Sequence, residues 1–213
     1  MYEVTQVKYE SLIFDVDGTL WDSRALLADA YNAQLKSEGM APYVTVDILK
    51  PLFGRTMTAL ADGLFPQVAA PERYALMDRC IVTMNEYLEK YAGPAIGYAD
   101  LRQTMEALAK KHRLFIVSNG QSGYAQLAGK NLGLADLITG YLSWGDTLKP
   151  KGQTILQLMK EHGIESAVYI GDTQGDLEAC QEAGIDFIWS AYGFGVPESY
   201  THKIDSFAQL TEL

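Results

Sequence analysis

Two cysteines, three histidines and no apolar run of membrane-spanning length: this 213-residue sequence is short of the residue types on which several functions depend. Cys80 and Cys180 lie far apart, each inside a helical pattern, and read as buried thiols rather than a disulfide. His112, His162 and His202 share no ligand spacing with them, which excludes a zinc site of the usual kind. Basic residues are also scarce, 17 Lys and Arg against 27 Asp and Glu, for a net charge of −10. That balance excludes strong non-specific binding to nucleic acid or to an anionic membrane, so any anion site must be built locally, against the overall field. No stretch reaches the length needed to cross a bilayer. The first ten residues, MYEVTQVKYE, lack the apolar core of a signal peptide, and with reduced thiols the expected location is the cytoplasm.

The remainder has the composition of a globular protein, 48% hydrophobic and 21% charged, with enough chain for one large domain or one and a half. Short, nearly continuous apolar runs at 11–17 (SLIFDVD), 114–118 (LFIVS), 167–171 (AVYIG) and 185–189 (IDFIW) read as strands covered on both faces. Helical patterns separate them. Leu101, Met105, Leu108 and His112 share one helix face. Ile155, Met159 and His162 share another, with Pro150 near its start and Gly163 past its end. Asp176 to Ala183 is a third helix, closed by Gly184. Strand–helix alternation of this kind predicts an α/β fold, a Rossmann-like parallel sheet joined by right-handed crossovers.

Residues 22–91 break the alternation. They carry no convincing strand but two helical stripes, Leu27, Tyr31, Leu35 and Met77, Cys80, Ile81, Met84, Leu88, Tyr91. The reading is an α-helical module at 21–92 inserted after the first strand, with the core formed by 1–20 and 93–213. Because ligands of open parallel sheets bind beyond the carboxyl ends of the strands, the polar residues there are the candidates. They are Asp15 and Asp17, Ser118 and Asn119, and Asp172.

Asp15 and Asp17, two apart in extended chain, point to one side. Asp172, with Asp176 a helical turn further on, can join them if its strand lies beside the first. Converging carboxylates raise one another's pKa unless a cation neutralises them, and an all-oxygen set selects a hard ion, best Mg2+. Singly, an Asp-Gly turn or an Asp N-cap is unremarkable. At three strand ends together they point to chemistry.

Asp15-Val-Asp-Gly-Thr-Leu, Ser118 at a strand end, Lys149-Pro150 at a helix start and Gly171-Asp-Thr-Gln-Gly-Asp176 resemble, in order and spacing, the four motifs of the haloacid dehalogenase-like hydrolase superfamily. Asp22-Ser23, the Tyr192-Gly-Phe-Gly195 loop, the tail Ile204-Asp-Ser-Phe with Leu210, and the inserted helices are similar to its phosphatase branch and that branch's cap. The resemblance implies a Mg2+-dependent phosphatase acting on a small phosphorylated metabolite. Asp15 is then the nucleophile that forms an aspartyl-phosphate, and Asp17 the general acid and base that also gives its backbone carbonyl to the metal. Asp172 is implied as a direct metal ligand and Asp176 as an outer group orienting a water or the lysine. Ser118 and the Asn119 amide hold phosphoryl oxygens, and Lys149 neutralises the transferring charge. Lys151, two residues on, is the alternative lysine, and the Lys-Pro match favours Lys149. Arg55, opening a helical stretch after Gly54, is the candidate for a substrate carboxylate or second phosphate. Phosphoglycolate, another small phosphomonoester or a nucleotide all stand as substrates.

Three rivals are distinguishable. Dehalogenases of the superfamily share Ser118-Asn119-Gly120 but lack the second aspartate, which is here as Asp17. A phosphomutase needs proton-transfer groups in the inserted module, and residues 22–91 contain no histidine. A phospho-accepting receiver domain places its acceptor after a later strand and has no large insertion.

Overall fold

A computed structural model describes residues 9–212, so most of MYEVTQVKYE and the last residue lie outside the described residues. In chain order the elements are β1 (Ser11–Phe14), α1 (Arg24–Ser37), α2 (Val46–Leu49), α3 (Met57–Leu64), α4 (Ala70–Tyr91), α5 (Leu101–Leu108), β2 (Arg113–Ser118), α6 (Tyr124–Asn131), β3 (Ile138–Ser143), α7 (Trp144–Thr147), α8 (Lys151–His162), β4 (Ala167–Gly171), α9 (Gln174–Ala183), β5 (Asp186–Ser190) and β6 (His202–Ile204). The strands form one six-stranded sheet in the order β3-β2-β1-β4-β5-β6. Every pairing is parallel. This is the expected Rossmann-like α/β sheet.

The period-two alternation of the strands divides the core. Leu12, Phe14, Leu114, Ile116, Val168 and Ile170 face one apolar cluster, shared with α5 and α6. Ile13, Phe115, Val117 and Tyr169 face the other, shared with α8 and α9. Covering on both faces explains why these strands are apolar throughout. The chain runs outward from β1 to β3, then returns to lay β4 against β1. The order reverses there, so a crevice opens at the carboxyl ends of β1 and β4.

The helices between β1 and β2 behave as their stripes predict, with one adjustment. Leu27, Tyr31 and Leu35 of α1 are buried, as are Met77, Cys80, Met84 and Leu88 of α4. Ile81 is only half-buried and Tyr91 is exposed, so the buried face of α4 is narrower than its apolar pattern. His112 lies beyond the end of α5, not on its face; it is buried, and its ring Nδ1 donates to the Tyr9 carbonyl at 2.8 Å. Gly163 and Gly184 close α8 and α9 in the left-handed conformation, as read from the sequence. Cys80 and Cys180 are both buried and unbridged. Among the described residues no helix is long and apolar enough to cross a membrane.

Candidate active site

The site begins where β1 ends. The Asp15 amide donates to the Ile170 carbonyl at 2.8 Å, which ties the end of β1 to the end of β4. Asp15 and Asp172 are therefore brought together by strand pairing rather than by a loop. Gly18 turns the chain with φ +82, and a Cβ there would sit 2.2 Å from Asp172 Oδ2. Only glycine both adopts that turn and lets the carboxylate in. The Tyr192–Gly195 loop closes the other side, with the Phe194 amide donating to Asp172 Oδ2 at 2.6 Å.

Asp15, Asp172 and Asp176 are all buried, and one carboxylate oxygen from each lies within 4.8 Å of the others. Asp176 also caps α9: its Oδ2 accepts from the amides of Asp172 (3.1 Å) and Thr173 (2.9 Å) and from the Thr173 hydroxyl (2.7 Å). Its Oδ1 accepts from Lys151 Nζ at 2.6 Å, and the same ammonium reaches Asp15 Oδ1 at 2.9 Å.

The lysine of the site is thus Lys151, and the reading of Lys149 is corrected. Pro150 is the N-cap of α8 and Lys151 its first residue. Helical side chains lean toward the N-terminus, so a lysine at that position reaches back over the helix start to the strand ends. Lys149 precedes the helix, after Leu148 in the left-handed conformation; it is exposed and donates to Gln157 Oε1 at 2.9 Å. A cation at a helix start opposes the dipole, and Asp15 and Asp176 offset that cost for Lys151.

The electrostatics follow. Burial drives the Asp15 carboxyl up to about 7; Lys151 pulls it down, and Asp176 and Asp17 push it up again. Burial, then the charges of Asp176 and Asp15, hold Asp172 well above the usual carboxylate range. Burial works against the Asp176 carboxylate too, but Lys151 and the Thr173 donors outweigh it and bring its pKa below the usual value. For Lys151 burial disfavours the ammonium, yet the two carboxylates prevail and raise its pKa.

A cation fits this cluster. Asp172 Oδ1 is buried with no hydrogen-bond partner, a costly state that a hard ion would relieve, and the donors are all oxygen. Asp15 and Asp172 are the side chains free to ligate, since both oxygens of Asp176 are engaged. The Asp17 carboxylate is not part of the cluster. It accepts from Trp21 Nε1 (2.9 Å), Ser23 Oγ and the Tyr124 hydroxyl (2.9 Å) instead. Burial raises its pKa and these hydrogen bonds temper the rise.

Ser118 ends β2, and its Oγ accepts from the Gly120 amide at 3.1 Å, leaving its own proton to donate. Asn119 Nδ2 donates across to the Gly54 carbonyl at 2.6 Å. Gln121 Nε2 donates to Asn85 Oδ1 of α4 at 2.6 Å. The side-chain amide oxygens of Asn119 (Oδ1) and Gln121 (Oε1) are buried without partners, as is the hydroxyl of Thr19. Between this loop and the helices lies a cavity of about 40 Å³. Asp15, Asp17, Ser118, Asn119 and Tyr124 line its polar end; Leu27, Leu49, Phe53, Met57, Leu60 and Met84 line its other end, with Arg55 beside them.

Trp21, Gln121 and Tyr124 went unread in the sequence. Trp21 and Ser23 follow Asp17 within a turn, and Asp22-Ser23 did stand out beside the motif. Tyr124 and Gln121 reach the site through the turn from β2 into α6, which no residue spacing announces.

The chain matches the sequence model described as haloacid dehalogenase-like hydrolase over residues 12–190. It is 30% identical over 189 residues to a phosphoglycolate phosphatase of Aquifex aeolicus, covering 86% of this chain and 85% of the relative. With a phosphoglycolate phosphatase of Psychrobacter arcticus it shares 27% identity over 94% of each chain. The crystal structure of a predicted phosphoglycolate phosphatase from Haemophilus somnus superposes with a TM-score of 0.83 at 22% identity, covering 97% of this chain and 98% of that one. By the extent of these matches, and by the carboxylates and lysine gathered at the ends of β1 and β4, the chain belongs to the haloacid dehalogenase-like hydrolase family, in its phosphatase branch.

Proposed function

We propose that the protein is a Mg2+-dependent phosphatase that hydrolyses a small phosphomonoester through an aspartyl-phosphate on Asp15, with residues 21–92 as a cap over the core. The observation that carries this reading is the buried cluster of Asp15, Asp172 and Asp176 around Lys151, with one oxygen of Asp172 left unpartnered. Mg2+ would be held by the Asp15 and Asp172 carboxylates and the Asp17 carbonyl, and when bound it draws charge from the phosphoryl oxygens. Lys151 favours the ionised form of Asp15 against its burial and neutralises the transferring group, and Asp176 orients Lys151. Ser118 Oγ and the amides of the following turn take the phosphoryl oxygens. Asp17 protonates the leaving oxygen, then takes a proton from the attacking water.

Hydrolysis is favoured over phosphoryl return to a sugar. The helical wall of the cavity offers Leu27, Tyr31, Leu49, Phe53, Met57, Leu60 and Met84 but no histidine, aspartate or glutamate to assist a second hydroxyl. Its one cation, Arg55, suits a substrate carboxylate such as that of phosphoglycolate.

The test is release of inorganic phosphate from a panel of small phosphate esters, with Mg2+ and with excess chelator. Release that needs Mg2+ is expected; full activity in chelator contradicts the reading. Arg55→Ala is expected to raise KM about tenfold or more for carboxylate-bearing esters, and little for a phenyl ester.

A further inference from the structure

We propose that Tyr124 is a positioning residue for the leaving-group proton: its phenol fixes the Oδ2 oxygen of Asp17 as the atom that gives and takes that proton. The inference rests on the phosphatase reading above and deepens it.

The assignment comes from counting donors. Asp17 Oδ1 accepts from Trp21 Nε1 and Ser23 Oγ, which fill its two lone pairs, and Tyr124 leans on it as well. The indole can only donate, so the oxygen facing it is ill-placed to carry a proton. Oδ2 has one hydrogen bond to protein, from the Tyr124 hydroxyl at 2.9 Å. A phenol, unlike an indole, can turn its proton away and accept one, so it accommodates both protonation states of Oδ2. Asp17 and Tyr124 both line the cavity, and Oδ2, with one hydrogen bond from protein against three on Oδ1, is the oxygen with capacity left for the substrate's proton.

The phenol is held in place by its ring. Tyr124 is buried at the start of α6, where it meets the Trp21 ring edge-on with centroids 6.1 Å apart. On the other side it lies where a side chain at residue 120 would be: a Cβ on Gly120 would come within 2.6 Å of the ring. The loop that binds phosphate and the residue that aims the acid are therefore packed as one unit.

The steps balance. In the first, an Asp15 oxygen bonds to phosphorus, the bond from phosphorus to the ester oxygen breaks, and the proton on Asp17 Oδ2 passes to that oxygen. In the second, water bonds to phosphorus, its proton passes to Oδ2, and the bond to Asp15 breaks.

The experiment compares two esters in wild type and Tyr124→Phe with Mg2+. p-Nitrophenyl phosphate releases a group that departs without a proton; phosphoglycolate releases an alkoxide that needs one. Because kcat/KM reports steps through formation of the aspartyl-phosphate, it isolates leaving-group departure. The variant is expected to lose about 10- to 100-fold in kcat/KM on phosphoglycolate and to stay within about threefold on the aryl ester. A structural loss would lower both alike, and equal losses, or none, overturn the assignment. Trp21→Phe removes a donor from Oδ1 only and keeps Tyr124; it is expected to change both esters by similar factors. A selective loss on phosphoglycolate there overturns the assignment of Oδ2, whether or not Tyr124→Phe folds. Wild-type protein that hydrolyses neither ester contradicts the phosphatase reading itself, whereas wild-type turnover with equal losses contradicts Tyr124 alone.

Discussion

The two sides of the site, the buried cluster at the strand ends and the helices that line the cavity, differ in how their residues are held. On the sheet side, Asp15, Asp172, Asp176 and Lys151 are buried, tied to strand ends and bonded to one another. On the helical side the lining is mostly aliphatic and aromatic, Arg55 is exposed, and the polar ties to the core are few. Two of them are side-chain amides, Asn119 to the Gly54 carbonyl and Gln121 to Asn85. A buried ionic cluster is rigid and unforgiving, because removing one member strands the others. An apolar wall with one flexible cation can be re-cut without disturbing the fold. On the function proposed above, the chemistry belongs to the strand ends and the choice of ester to the helices.

The sharpest way to break that contrast is at the two lysines. Lys151→Met is expected to lower kcat about 100- to 1000-fold on every ester, and to destabilise the fold by about 3–5 kcal/mol by leaving Asp15 and Asp176 unpaired. Lys149→Met is expected to change stability by less than about 0.5 kcal/mol and to keep full activity, since Lys149 is exposed and its ammonium meets only the amide of Gln157. Steady-state kinetics and urea unfolding of both variants check this. Equal effects would mean that the cluster is not the catalytic wall.

A smaller effect lies in the pH dependence of metal binding. The Asp15 carboxyl is raised from 3.8 to about 7 by burial, net of Lys151. Between those values the folded chain binds the proton more tightly than the unfolded chain. Metal-free stability from this group is therefore full at acid pH and falls as pH rises through about 7. Asp172 acts in the same direction, while Asp176, with its pKa lowered, adds stability above its unfolded value and loses it in acid. Mg2+ competes with the protons on Asp15 and Asp172. The rise in Tm on adding Mg2+ is expected to be slight near about pH 5 and several degrees near about pH 8. A shift independent of pH would mean that the ion binds elsewhere. Arg55→Ala is the mildest probe, expected to reorder substrates while leaving the metal-induced shift alone.

Legibility in the sequence followed the same division. Strands covered on both faces, β1, β2, β4 and β5, were readable because burial makes them continuously apolar. β3 was not: it is an edge strand, mostly half-buried, and its sequence ITGYLS mixes threonine, glycine and tyrosine. β6 has three residues, two of them exposed. The aspartates were legible because strand ends are fixed by pairing, so Asp15 and Asp172 meet as expected. Lys149 and Lys151 could not be separated by motif position, since the outcome turns on which of them is the first residue of α8. Tyr124 and Gln121 were invisible for a related reason: they act through the path of a turn.

The central claim is that Asp15 is the group that strikes phosphorus, and one measurement bears on it most directly. Asp17→Asn protein, which lacks the base for the second step, is mixed with Mg2+ and p-nitrophenyl phosphate, quenched in acid and mapped by peptide mass spectrometry. A hydroxylamine-labile phosphoryl group on Asp15 is the predicted result. Phosphate release by the wild-type protein with no phosphoryl group on Asp15 in the variant would contradict the account.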